Sequence, residues 1–440
     1  MTVHVPRMLL AALVLAVSVG AAEAGQEKGD EPPQPRGKGD AGPQPAVRLA
    51  WGDHPSLRVG DVLRVDLRAG LHADLRSGGR GSSADGDAFD VTRRRLGVEG
   101  RVFEHLEFEV EREFGSRKAW RDVFLDVRRF EQLRARAGRF KLPFGMDALT
   151  SASDLEFVFR SLLARELSPG RETGLMLHGR LLGRRIAYQA GIFRHDGDNT
   201  PVDDEIVFGQ PEELPLARAR ATAVRVSVSP FRTSARWPLL RSLRVGGAAA
   251  RSEVREGENS LKGRTVFGDT FFPRILVGGQ RLRLGAEAEW HPGPLSIRSE
   301  FVQVRDGRVG LSVSNEDLPS HILQGWYLSA AWRVLDGPGG KGLGRRIFNV
   351  PVGRVELLAR VDRLRAGGGD PSQPPSFSPR ADNPFPNADT VWTFGVNWSV
   401  NRWTRLQVNA IAERLDNLDR AEAIDRPTWR TLVCRFQFVI

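Results

Sequence analysis

Between Leu63 and Leu75 apolar or small residues take alternate positions: Leu63, Val65, Leu67, Ala69, Leu71, Ala73 and Leu75. Arg64, Asp66, Arg68, His72, Asp74 and Arg76 fill the places between them. Side chains of a strand point alternately to its two faces, so this segment predicts a strand with one oily and one charged face. It exceeds the about 5–6 residues of an ordinary strand and reaches the roughly 9–11 that a tilted strand needs to cross a bilayer. Similar alternation predicts further strands near 91–102, 106–114, 119–128, 133–141, 172–181, 186–194, 217–229, 240–250, 280–290, 295–305, 322–334, 351–364, 388–399, 403–414 and 429–440. The connections alternate in length. Short ones fall at 102–105, 129–132, 182–185, 291–294 and 400–403, and long ones at 77–90, 142–171, 194–216, 253–279, 306–320, 366–387 and 415–427. Short turns on one rim and long loops on the other mark a membrane barrel. The pattern predicts an all-β fold over 57–440, a 16-stranded antiparallel transmembrane β-barrel of porin size with an aqueous lumen.

Two strands sharpen this picture. Leu282, Leu284, Ala286, Ala288 and Trp290 oppose Arg281, Arg283, Glu287 and Glu289. Trp392, Phe394, Val396 and Trp398 end at a short turn and are followed by Trp403, a placement that suits an aromatic girdle, or else the core of a soluble sandwich. In the final strand Leu432, Cys434, Phe436, Phe438 and Ile440 share one face, which suits recognition by barrel-insertion machinery.

Composition narrows the class. Mean hydropathy is −0.32, with 27% charged residues. A barrel has this soluble-looking hydropathy because half of each strand faces water. Residues 1–24 read as a signal peptide: Arg7, an apolar run from Met8 to Val19, and Ala22-Glu23-Ala24 as a cleavage site. Residues 25–50 are rich in Pro and Gly and read as a disordered linker. Cys434 is the single cysteine, so no intrachain disulfide forms. The net charge of +10 is carried mostly by arginine, whose planar fork suits phosphate and carboxylate. A GC-rich genome would produce the same excess. The signal peptide and the intermixed charge signs argue against nucleic acid.

Gly138–Gly145 (GRFKLPFG) is followed by Leu149–Leu155 (LTSASDL), Arg160-Ser161-Leu162 and Ser168–Gly174 (SPGRETG). This run resembles the phosphate-selective porins of the O and P type. Gly325-Trp326-Tyr327, Val355–Arg360 and Gly395–Asn401 (GVNWSVN) are similar to strand and turn motifs of the same family. The resemblance is strongest over 95–195 and 320–440. It implies a trimeric outer-membrane porin whose third long loop, here Leu142–Arg171, folds inward and narrows the lumen. It also implies passive diffusion of small inorganic anions, phosphate or polyphosphate above all, in contact with outer-membrane lipids.

Anion selectivity needs cationic side chains where screening is weak, arranged as a series of shallow sites so that the ion can leave. Arg160, Arg165 and Arg171 lie in the third loop, and Arg134, Arg136 and Lys141 on the strand leading into it; these six are the expected constriction. By strand parity Arg64, Arg68, Arg93, Arg95, Arg281 and Arg283 are expected as a lumen ladder, with Arg76, Arg101, Arg218, Arg220 and Arg298 adding to it. For any one of these arginines, pairing with a wall carboxylate is the competing role. Glu107, Glu109, Glu111 and Glu113 supply such carboxylates in one column, and with the arginines would set up a transverse field. No cofactor or metal is expected. His72, His178 and His195 carry no hydrolase motif, and Asp196-Gly197-Asp198-Asn199 reads as a polar turn rather than a calcium loop. Two alternatives stay open: a general porin of weak or cation selectivity, and a non-transporting barrel serving as adhesin or anchor.

Overall fold

The computed structural model describes residues 47–440 except 52–53, 80, 82–85, 117–118, 200–220, 336–345, 348–349, 352 and 422. The expected leader and most of the linker, with Arg218 and Arg220, lie outside the described residues. Sixteen strands form the wall. They are β1 (Leu63–Gly78), β2 (Ala88–Val102), β3 (Leu106–Glu113), β4 (Trp120–Val127), β5 (Arg134–Lys141), β6 (Arg171–Leu181), β7 (Ile186–Phe193) and β8 (Ala221–Val228). The remainder are β9 (Arg244–Gly257), β10 (Val277–Trp290), β11 (Leu295–Asp306), β12 (His321–Leu335), β13 (Arg354–Gly367), β14 (Asn387–Ser399), β15 (Thr404–Leu415) and β16 (Thr428–Val439). Each pairs antiparallel with the next, and β16 returns to β1 from Thr431 opposite Gly78 to Val439 opposite Gly70. The barrel is closed, and a closed barrel has no free edge. Among the described residues no helix is long and apolar enough to cross a membrane.

A hairpin of Val47–Trp51 and Pro55–Val59 precedes the wall. Its second strand pairs with the start of β1, Ser56 with Asp66 through Val59 with Leu63. It thus continues the row beside β1 below the point where β16 ends. The short turn between β2 and β3 places Phe103 and Glu104 at φ 50° and 60°. Two successive left-handed residues give the primed turn whose twist matches a tight hairpin.

The burial pattern is inverted. Leu282 and Leu284 are 41% and 49% exposed, while Arg281 and Arg283 between them are 1% and 0% exposed. Trp392, Phe394 and Val396 are exposed on β14, and Thr393 and Asn397 are buried. This suits a wall whose outer solvent is hydrocarbon and whose polar groups turn inward. Strand boundaries differ from expectation mainly at β9. Pro238–Ser242 forms a 3-10 helix, so the strand starts at Arg244 and runs on to Gly257. Pro238 fixes its own φ and lacks a donor, which favours helix initiation over strand pairing there.

Residues 142–170 carry two short helices, α1 (Met146–Leu149) and α2 (Leu162–Glu166). Gly145 and Gly170 stand near the two ends of this segment at φ 77° and 80°. A Cβ on Gly170 would lie 2.1 Å from an Asp198 carboxylate oxygen. The glycines of the PFG and PGR motifs are therefore backbone requirements of the entry and exit of the loop. Leu142, Phe144, Val158, Leu162, Leu163 and Leu167 are buried inside the barrel against Phe140, Phe193, Val302, Leu323 and Leu364.

Candidate functional site: an arginine-lined lumen

The third loop lies against one side of the interior, held by the lumen faces of β10–β16. Its backbone has few internal partners, so wall side chains supply them. Glu300 of β11 accepts the N–H groups of Met146 and Asp147, each at 2.6 Å, and the Tyr327 hydroxyl at 2.9 Å. Arg360 of β13 donates to the Phe159 carbonyl at 3.0 Å, and Arg435 of β16 to that of Val158 at 2.6 Å. Asn397 and Gln407 donate to the Glu156 carbonyl, and Asn409 accepts the Val158 N–H. Arg405 donates to the carbonyls of Leu155 and Ser153.

A second segment also enters. Arg165 donates to the Val266 carbonyl, Arg264 to Glu166 at 2.7 Å, and Val266 N–H to Glu413 at 3.0 Å. Phe267 meets Phe159 edge to face, with ring centroids 5.4 Å apart. The connection between β9 and β10 is therefore pinned to the third loop. The alternation of connection lengths places it on the rim. Val266, Phe267, Phe271, Phe272 and Ile275 are too apolar for a solvated loop, and that density was the available signal.

Across from both segments lies a cavity of ≈ 560 Å³ in the lumen, bounded by β1–β8 and the free side of the third loop. Eleven cationic side chains line it: Arg68, Arg93, Arg95, Arg121, Arg136, Lys141, Arg160, Arg165, Arg171, Arg225 and Arg264. Four carboxylates join them: Glu109, Glu111, Asp122 and Asp198. Most guanidiniums are held from behind. Arg68 pairs with Glu99 at 2.7 Å, Arg171 with Asp122, and Arg225 with Glu287 at 3.0 Å. Arg136 forks onto Asp126 and sits 4.0 Å from the centre of the Phe124 ring. Glu113 stands at 2.8 Å from Arg95 and 3.7 Å from each of Arg93 and Arg121. Glu111 also pairs with Arg95 at 2.8 Å, so two carboxylates serve three guanidiniums and one positive charge is left over. Nε and a terminal nitrogen of Arg93, and Nε of Arg121, are buried without a hydrogen-bond partner.

Of the expected constriction, Arg136, Lys141, Arg160, Arg165 and Arg171 line this cavity. Lys141 donates to the carbonyls of Ala148, Leu149 and Thr150, and Arg160 to those of Asp147 and Thr150, so both also brace the loop. Arg134 stands apart, at the short-turn end of β5, with its Nε donating to the Phe130 carbonyl at 3.3 Å. Of the expected ladder, Arg68, Arg93 and Arg95 face the cavity. Arg64 lies below it, beside Asp66 at 2.9 Å. Arg281 and Arg283 do not face open lumen. Asp196, in the connection after β7, takes both guanidiniums, and Arg281 also pairs with Asp306 while Arg283 donates to the Leu167 carbonyl. Parity gives the correct face, but folded loops cover it.

Sequence reasoning missed Arg121, Arg225 and Arg264. Arg121 has the parity of outward Val123 and Leu125. The β3–β4 register shifts between Val110 and Arg112, opposite Val123 and Trp120. The extra residue of this bulge turns Arg121 inward beside Asp122. Arg225 is on the inward parity of β8 and was legible; Arg264 depends on the inward path of its loop. His178 lies 2.9 Å from Asp126, a wall pair with no nucleophile assigned to it.

A family model for the phosphate-selective porins O and P matches residues 64–440. No curated protein matches in sequence. Among solved structures, the chain resembles outer-membrane OmpT of Vibrio cholerae, with 13% identity, TM-score 0.54, and coverage of 87% of this chain and 99% of that one. It also resembles the outer membrane channel DcaP of Acinetobacter baumannii, with 9% identity, TM-score 0.53, and coverage of 86% and 98%. For OprB of Pseudomonas putida the values are 10%, 0.52, and 86% and 94%. At such identities these likenesses establish the barrel fold.

Proposed function

The chain belongs to the phosphate-selective porin O and P family, a family of outer-membrane channels, and from that premise we propose that it passes small anions through an arginine-lined conduit. The cationic lining carries this reading: eleven cationic side chains reach the cavity against four carboxylates, while Glu99, Glu113, Asp126 and Glu287 partner several of them from behind. In a confined lumen such an excess raises the local concentration of anions and opposes cations. Phosphate is the favoured solute. The N–H groups of Arg93 and Arg121 that make no hydrogen bond, the two Nε standing 3.7 Å from Glu113, suit a tetrahedral oxyanion, since guanidinium forks match its geometry. The several arginines along the wall let the ion step from one shallow site to the next. The proposal extends to a cleaved leader at 1–24, to insertion by the barrel-assembly machinery and to a homotrimer; one similar solved structure, OmpT of Vibrio cholerae, is a trimer form.

Planar-bilayer recording under a salt gradient tests the reading. The reversal potential is expected to show anion preference, and phosphate to block chloride current. Arg93→Ala with Arg121→Ala is expected to lower both. A reversal potential at the cation side, or one indifferent to these substitutions, refutes it. Glu109, Glu111 and Asp122 in the same cavity favour the second reading, a general porin, which requires a reversal potential near zero.

A further inference from the structure

The connection between β8 and β9, residues 229–243, is long for its rim. Its neighbours on that rim, 182–185 and 291–294, are tight turns. The sequence SPFRTSARWPLLRSL holds three arginines and no acid. Trp237 is 50% exposed and Leu239 67% exposed.

The path of this segment is outward. Trp290 is on the lipid-facing parity of β10, and its Nε1 donates to the Leu239 carbonyl at 2.9 Å. Ser242 Oγ donates to the His291 carbonyl at 2.9 Å. On the other side Arg185 donates to Thr233 Oγ1. The segment is thus stapled across the outer edge of the rim and does not reach into the lumen. Its exposed Trp237 and Leu239 continue the apolar exterior formed by Val224, Val226, Val245, Leu282 and Leu284. Arg236 lies over the Trp237 ring, 5.5 Å from its centre. Arg241 braces the exposed Ser234 carbonyl through Nε at 2.7 Å. Neither Arg232 nor Arg236 pairs with a described carboxylate.

Short turns of a membrane barrel face the periplasm, where the adjoining leaflet is phospholipid. Tryptophan and leucine at that depth sit at the boundary between acyl chains and headgroups, and arginines beside them meet phosphate. We propose that residues 229–243 form a docking surface for anionic phospholipid of the periplasmic leaflet, with Trp237 and Leu239 seated in the interface and Arg232, Arg236 and Arg241 on the headgroups. The lipid-facing wall that this segment extends is the observation that selects lipid as the occupant.

Two measurements on the full-length protein test this. In the first, Leu239→Cys in a Cys434→Ser background carries an environment-sensitive fluorophore in vesicles of phosphatidylethanolamine and phosphatidylglycerol. Quenching by brominated acyl chains, with protection from aqueous iodide, is expected. Iodide quenching without a bromine effect overturns the proposal, as do disulfide-linked copies formed through the introduced thiol, which would seat a second copy there. In the second, native mass spectrometry compares retained phosphatidylglycerol with retained phosphatidylcholine. Arg232→Ala, Arg236→Ala and Arg241→Ala together are expected to abolish the preference, by about fivefold in partition per arginine removed. Undiminished preference overturns the headgroup assignment. Single-channel conductance and reversal potential are expected at wild-type values in that variant, so its failure is distinguishable from failure of the anion reading.

Discussion

Glu300→Ala isolates the anchoring of the third loop from the stability of the wall. Glu300 is buried on the lumen face of β11 and accepts three hydrogen bonds, from Met146 N–H, Asp147 N–H and the Tyr327 hydroxyl. Its side chain takes no part in the strand ladder, so the β10–β11 and β11–β12 pairings survive its loss. A hydrogen bond to a charged group contributes about 1.5–3 kcal/mol, and neighbouring bonds are not additive, so the tether loses about 3–6 kcal/mol. That shifts the balance between docked and detached loop arm by roughly 10²- to 10⁴-fold. The rest of the loop keeps its bonds to Arg360, Asn397, Arg405, Gln407, Asn409 and Arg435. The loosened part is therefore the stretch around α1, which keeps Lys141 on its Ala148, Leu149 and Thr150 carbonyls and carries the Asp147 and Thr150 carbonyls that orient Arg160. Single-channel recording is expected to show greater open-channel noise, altered conductance and weaker anion preference. Glu300→Gln should fall between, because its amide oxygen still accepts while its NH₂ faces other donors. The unfolding temperature of the barrel in detergent should move little. Wild-type conductance and noise in Glu300→Ala would refute the tether.

Asp196→Asn leaves Arg281 and Arg283 short of a buried counter-charge and should destabilise the barrel by about 3–5 kcal/mol, read from unfolding in detergent. Burial alone would raise the Asp196 carboxyl, but Arg283 and Arg281 hold it below the usual carboxylate range. Stability from a depressed carboxyl is complete above its unfolded value of about 4 and is lost as pH falls through the folded one. The gap between wild type and Asp196→Asn should therefore be constant from neutral pH to about 4 and narrow only below it; a gap already shrinking between pH 7 and 5 contradicts the pairing. Arg121→Cys, in a Cys434→Ser background, should react with a charged thiol reagent added to the aqueous side and lose current on reaction; inertness would put Arg121 outside the lumen. Arg134→Ala should leave the reversal potential unchanged while Arg136→Ala shifts it, and equal effects would erase the distinction between rim and cavity.

The barrel was written in the alternation of its residues, because each strand answers to lipid on one face and water on the other. That is why β14 could be located from Trp392, Phe394 and Val396 within a residue or two. Parity also found Arg68, Arg93 and Arg95. It failed at Arg121, where a bulge breaks the period of two. It failed differently at Arg281 and Arg283. Their inward direction is correct, but whether an inward residue meets water depends on Asp196 and Leu167, which belong to loops without periodicity. The resemblance placed the third loop. Nothing in its own pattern names the wall side chains that hold it.

The seam between β1 and β16 bears on how such a molecule is made. Arg435 forks onto Asp74 across it, 361 positions away along the chain, and Ile440 exchanges both backbone bonds with Ala69 at 2.9 and 3.0 Å. Contacts this distant are slow to form, since the entropy of gathering the intervening chain comes before any reward. Until they do, the sheet is an open ribbon with two raw margins, each able to recruit a stray strand. The membrane thus receives a finished channel only after the longest-range contact in the wall has formed, and the interval before that moment is when the polypeptide is most exposed to aggregation.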